Sequence, residues 1–333
     1  VPNDGDLYIR YSATDHGERD VPATADSWES PAIEVIGSGL GSGTIVAGVD
    51  QLVRVYVGNR GANTHTDAIV QVYATDWGTV NPWLQSLGGP AGTPGGPFTV
   101  VGNAAWDSNS EAVIDVGWHP DPSELGGADH LHVCLFANIY RPTDGAPQSD
   151  PPVWSIATNQ HQAQRNCTLV ASPLGQALAF GLKAGNVGKA TERFTLEVRE
   201  LADGKLTAVD TRQLASAAWL ASARRQLGAL APARPATAVE LSAGGRRGAK
   251  LELELKPGQQ TAVSVHATPS DAKASGIHRF QVVQRDARGR VVGGARAVVA
   301  VVPEKLIPRP LLEDARRLAA LERGSLVEPI VKR

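Results

Sequence analysis

The stretch QLVRVYVGNRGANTHTDAIVQVYATDW (51–77) sets the period of the whole chain. Val53, Val55 and Val57 alternate with Arg54 and Tyr56, and Val70, Val72 and Ala74 alternate with Gln71 and Tyr73. A period of two in β-branched and aromatic residues is that of half-buried antiparallel strands, one face on a core and the other on water. The connection over 59–67 is polar and carries glycine, so the two runs form a hairpin-like unit.

Working outward, further strands are expected at 6–12, 31–37, 112–118, 130–140 and 165–172. Seven short strands with Gly-, Pro- and Asn-rich links match the count and spacing of an immunoglobulin-like sandwich. LGGPAGTPGGP (87–97) reads as a surface loop, because that density of Gly and Pro opposes both ladder and helix. The second half repeats the alternation at 177–186, 193–201, 205–213, 250–258, 260–269 and 278–303, with turn signals at ADGK and DARGR. One segment departs from it. Residues 213–230 are rich in Ala, Leu and Arg and read as a helical insertion ending near Gly228. After Pro303, PRPLLEDARRLAALERG reads as a helix closed by Gly324. The expected architecture is therefore all-β. Two immunoglobulin-like β-sandwich domains stand in tandem over 1–172 and 173–303, with a small helical insertion and a C-terminal helix and tail over 304–333.

Composition bounds the function. The chain has 333 residues, enough for two cores, and 42 % of them are apolar, as in a globular protein. No apolar run approaches the length of a membrane-spanning helix. The chain starts at Val1 and lacks methionine, which points to a processed end or to a cut within a longer chain. Charge is split. Residues 1–172 hold six Arg, no Lys and 19 carboxylates, a balance of −13, whereas residues 173–333 balance to +11. Such asymmetry suits halves that attract each other or a neighbouring copy, and equally two unrelated domains joined together.

The first half resembles a bacterial cell-adhesion-related (CARDB-like) immunoglobulin-like repeat of secreted and surface proteins. DLYIRYSATDHG, WESPAIEV, VRVYVGNRGANTHTDAIVQVYATDW, VGWHP, HLHVCLFANIY and NQHQAQRNCTLV carry the resemblance in order, over most of 6–170. It implies a sandwich without catalytic machinery, located outside the cytoplasm, extracellular or on the cell surface. These motifs specify fold better than function. The second half shows only a generic immunoglobulin-like pattern.

Chemistry was sought in the few reactive residues. Cys134 and Cys167 fall in expected strands, neither precedes a helix, and no Gly-x-Ser-x-Gly elbow is present, which speaks against an enzyme. If the last two strands of the first sandwich are adjacent, the two cysteines can face each other. Closing that loop of about 34 residues would stabilise by roughly 3–4 kcal/mol. Two separate thiols are the alternative. His130 and His132 share a strand face but lack two further zinc ligands. Asp4, Asp6, Asp15, Glu18 and Asp20 offer hard oxygens that suit a structural Ca²⁺, although acidic loops are more often simply solvated. No other cofactor is expected. The Gly-rich GSGLGSG (37–43) lacks the lysine of a phosphate loop, and the basic second half lacks aromatic stacking platforms, which argues against nucleic acid. Trp77, Trp83 and Trp106 lie in or beside loops, where they can stack on a glycan or anchor the loop. Leu311, Leu312, Ala315, Leu318 and Ala319 form an apolar stripe on the C-terminal helix, which packs on its own domain or docks onto a partner. The expected function is a non-enzymatic extracellular structural or interaction protein with protein partners, other copies of itself included. The alternatives are an accessory substrate- or glycan-binding region of a larger secreted hydrolase and a surface decoration of a virion or injection particle.

Overall fold

The fold was analysed on a computed structural model that describes residues 6–12, 14–17, 27–41, 43–46, 48–76, 85–86, 95–102, 112–119, 130–142, 156, 158–201, 214–215, 217–228 and 230–322. Among the described residues, nineteen strands make four sheets in two sandwiches, as the alternation required.

In the first sandwich one sheet centres on β4 (Gln51–Asn59), flanked by β8 (Ala112–Trp118) on one side and by β2 (Ile33–Ile36) and β1 (Leu7–Tyr8) on the other. The facing sheet centres on β9 (His130–Tyr140), paired with β5 (His65–Asp76), β10 (Gln162–Arg165) and β3 (Thr44–Val46). β6 (Gln85–Ser86) and β7 (Gly95–Val100) complete it along β5. The apolar sets read from the sequence converge here. Val53, Val55 and Val57 meet Val70, Val72, Ala74, Ile114, Val116, Val133, Leu135, Ala137 and Ile139 in one buried core. The loop expected over 87–97 is corrected at its end. Gly95, Gly96 and Pro97 belong to β7, which pairs only with β5 among the described strands. An edge position tolerates proline because its missing N–H can face away from the ladder.

The second sandwich pairs a five-stranded sheet, ordered β11 (Cys167–Pro173), β19 (Val291–Val302), β18 (Gly276–Arg285), β13 (Glu192–Glu200) and β16 (Lys250–Leu255), with a four-stranded one. The latter runs β12 (Leu178–Gly185), β17 (Gln260–Thr268), β14 (Ala238–Ala243) and β15 (Arg246–Gly248). Sequence reading missed β14 and β15, whose arginines and paired glycines break the apolar alternation. The strand expected at 205–213 lies outside the described residues, and the run 278–303 is a hairpin of two strands.

A third apolar layer lies on the outer face of the five-stranded sheet. The helical insertion forms α1 (Ala218–Leu227) and ends at Gly228 with φ 81°, a conformation glycine adopts readily. α1 buries Leu220 and Ala223 against Leu169, Ala171, Val298 and Ala300, and α2 (Arg309–Glu322) adds Leu311 to the same layer.

The DARGR turn between β18 and β19 shows how local chemistry sets register. The Asp286 carboxylate accepts the backbone N–H groups of Arg288 and Arg290 at 2.9 Å each and Arg290 Nε at 2.7 Å, and Gly289 has φ 78°. Burial favours the neutral acid, but these donors outweigh it and hold the carboxyl below its ordinary 3.8. A depressed folded-state value means stabilisation that is present above the unfolded pKa and fades as pH falls through the folded one. The stability difference between the native chain and Asp286→Asn should therefore be full at neutral pH and shrink below about pH 4. Urea titrations at several pH values check this, and a pH-independent difference would contradict it.

Candidate functional site

The feature that organises the molecule is the joint between the sandwiches. The strand expected over 165–172 is two strands. β10 ends at Arg165 in the first sandwich, and β11 begins at Cys167 in the second, parallel to β19. Asn166 alone lies between them. Its N–H donates to Trp28 O at 2.7 Å, its Nδ2 donates to Gly294 O at 3.0 Å, and its carbonyl accepts from Arg296 N at 2.9 Å. A residue so committed cannot swivel, so residues 167–172 belong with the sheet of the second sandwich.

One buried ion pair crosses the joint. Arg296 of β19 forms an ion pair with Glu29 of the first sandwich, with side chains only 4 % and 8 % exposed. Arg165 is fully buried and donates from Nη1 to Ile33 O at 2.6 Å. Trp28 lies against Gly294 so closely that a Cβ there would come within 2.3 Å of the indole. His132 Nδ1 lies 2.6 Å from Thr168 Oγ1, which ties β9 to β11.

Apolar contacts reinforce the polar ones. Tyr73, Cys134 and Phe136 sit on the strand faces opposite the first core, where alternation leads to solvent. Instead they are buried in the core of the second sandwich beside Val170. Leu40, from the Gly-rich 37–43 segment, enters the outer layer next to α1, and Trp219 Nε1 donates to Leu40 O at 3.2 Å.

The residues that carried the family resemblance do structural work. Asn59 Nδ2 donates to Asn63 O at 2.8 Å while its Oδ1 accepts from Gly61 N at 2.9 Å, which closes the turn after β4. Arg60 donates to Gly17 O and to Gln160 Oε1. A second copy of this turn stands in the other sandwich. Asn186 Nδ2 donates to Ala190 O at 2.9 Å and its Oδ1 accepts from Gly188 N at 2.8 Å. Each asparagine also reaches the end of a matching strand, Val100 O of β7 and Leu255 O of β16. The signal was present in the sequence as Gly-Asn-x-Gly at 58–61 and 185–188, but four residues are too few to stand out unaided.

Other residues named from sequence are placed as follows. Cys134 is on β9, whose partners are β3, β5 and β10, whereas Cys167 is on β11 in register with Arg296. The adjacent-strand geometry on which their pairing was argued does not hold. Asp15 accepts Tyr11 N at 2.9 Å and Gly17 N at 2.8 Å, and Asp6 lies 3.9 Å from His65. Asp4, Glu18 and Asp20 lie outside the described residues, as do Trp77, Trp83 and Trp106. Among the described residues no three His, Cys, Asp or Glu side chains gather as a metal site. On α2, Leu311 is 2 % exposed in the outer layer and Leu312 packs beside it, so this end of the stripe is covered by the chain's own sheet. Ala315 is half-buried. The side chains of Leu318 and Ala319 lie outside the described residues.

One pair resembles catalytic machinery. Ser242 Oγ lies 2.9 Å from His266 Nε2. Ser242, however, is on β14, which pairs with β17 on one side and β15 on the other. Backbone N–H groups there belong to the ladders, so no donor pair is left to hold an oxyanion beside the hydroxyl.

The outer faces carry charge. On the β4–β8 face Arg54 makes a bidentate pair with Asp115 at 2.7 Å, which holds the guanidinium more firmly protonated than usual. On the β13–β16 face Glu197 is bound by Lys250 and flanked by Arg285, and its carboxyl is lowered by the Lys250 hydrogen bond first.

No protein-family model and no curated protein matches the chain. Similar solved structures include a bacterial pilin subunit and bacterial adhesins. The CooA pilin subunit from enterotoxigenic Escherichia coli is 10 % identical, over 47 % of this chain and 97 % of its own, with a TM-score of 0.23. The collagen adhesin (CNA) from S. aureus is 9 % identical over 80 % and 94 %, with a TM-score of 0.22. CfaE, the adhesive subunit of CFA/I fimbria of enterotoxigenic Escherichia coli, is 7 % identical over 90 % and 93 %, also with a TM-score of 0.22. The fold assignment rests on the strand order and the cores, not on these low-scoring likenesses. No helix of the described residues is long and apolar enough to cross a membrane.

Removing one partner of the joint's ion pair strands a buried charge. Glu29→Ala should cost about 3–5 kcal/mol. Gly294→Ala should displace Trp28 and split one unfolding transition into two. Calorimetry and denaturant melts check both, and a Glu29→Ala change within about 0.5 kcal/mol, the range of ordinary surface substitutions, would contradict the assignment.

Proposed function

We infer that the chain is a non-enzymatic structural and interaction protein that works outside the cytoplasm, on a cell surface or secreted, and whose partners include further copies of itself. The observation that carries this reading is the locked joint set between oppositely charged halves. With one linking residue, buried on both sides, the acidic and basic halves cannot fold back on one another. Among the described residues they meet at the joint, where Glu29 and Arg296 pair. The two halves carry net charge of opposite sign, −13 before residue 173 and +11 after it. A second copy can satisfy it head to tail, because its acidic end meets the basic end of the first. The contact is heterologous, so it repeats instead of closing unless the rotation brings the ends together.

We also infer that residues 6–170 are a cell-adhesion-related repeat. The residues that carry the resemblance support it: Asn59, Arg60, Gly61, Arg165 and Asn166 hold the turn and the joint. The matched turn at Asn186 supports a second sandwich built on the same plan.

Surface charge attraction is screened beyond about 10 Å at 0.1 M salt. Sedimentation velocity should show association at about 20 mM salt and monomer at about 0.5 M. Species indifferent to ionic strength would overturn the charge-driven assembly.

A further inference from the structure

The second sandwich is entered and left through one pair of parallel strands. β11 and β19 lie side by side in register from Cys167↔Arg296 to Pro173↔Val302. Arg296 N donates to Asn166 O at one end of this ladder, and Leu174 N donates to Val302 O at the other, both at 2.9 Å. In a parallel ladder alternate residues of a strand supply the bonded groups. Bonding at Asn166 and Leu174 therefore assigns the even-numbered residues to the ladder. Pro173, which has no N–H, falls at an odd position where none is needed.

The chain enters β11 at its N-terminal end, from the first sandwich, and leaves β19 at its C-terminal end, toward α2. Tension along the chain draws these two ends apart. Because the strands are parallel, they must slide past each other along their axes, and the whole ladder is loaded together. Pulling both strands from the same end would open the bonds one after another.

We propose that the β11–β19 pair is a shear clamp that makes the second sandwich load-bearing along the chain, a role that rests on the reading of the protein as a surface structural element. The joint strengthens the loaded end. Asn166 is tied to Gly294 and Trp28, and Arg296, the first β19 partner in register, is held by Glu29. The first sandwich has no such device among its described strands, whose pairs are all antiparallel.

Single-molecule force spectroscopy on the full chain tests this, with handles first at the two termini and then at exposed Gln176 and Lys305, beside the common end of β11 and β19. The second sandwich should rupture at a severalfold higher force in the first geometry. Ser172→Pro, checked for folding by circular dichroism, removes one ladder donor and should lower the end-to-end force while leaving the other nearly unchanged. Equal forces in the two geometries would overturn the clamp. Salt-sensitive association measured on the same preparation separates this failure from failure of the assembly reading, since association does not depend on strand direction.

Discussion

The chain passes from one sheet to the next through a single residue, and most of the structure follows from that constraint. Asn166 has one backbone donor, one backbone acceptor and one side-chain amide to place in a buried site. Trp28, Arg296 and Gly294 receive them. A longer linker would have let the sandwiches move against each other, with their facing surfaces solvated. With one residue the surfaces must touch, and whatever lies on them must be buried. This is why Tyr73, Cys134 and Phe136, on the outward side of the first sandwich, share a core with Val170 and Phe280.

Burying polar groups at such a junction is costly unless each finds a partner. At the joint, charge is paired with charge and a guanidinium with a carbonyl. Glu29 and Arg296 neutralise each other, and Arg165 is held by Ile33 O. A hydrophobic joint of similar size could be as stable. The polar groups add direction, because they bond only when β10, β11 and the Trp28 segment are in one register. The residues that carry the resemblance therefore act as alignment.

The outer surfaces are what remains for partners. The helices cover part of one sheet face, and the β4–β8 and β13–β16 faces carry ion pairs. Individual exposed ion pairs such as Arg54–Asp115 or Lys250–Glu197 add little to stability. The net charge differs in sign between the halves, −13 before residue 173 and +11 after it. The Ser242–His266 pair shows the converse. Two residue types associated with catalysis stand in contact, yet a sheet interior leaves no free donors around them.

The sequence by itself determined the class and most of the elements, because burial on one face writes a period of two into a strand and that period survives without knowledge of partners. Val53, Val55 and Val57, the DARGR turn and the helix ending at Gly228 were all legible for this reason. Only the tertiary structure decided where the sandwiches divide. QRNCTLV reads as one strand, since a chain that continues straight from one sheet into another leaves no break in polarity. The tertiary structure also decided that Tyr73 and Phe136 are core, that Leu311 is covered by its own sheet, and that Cys134 and Cys167 stand on strands of different sheets. Each of these depends on what lies opposite a residue across the fold, and alternation along a strand records only which residues share a face.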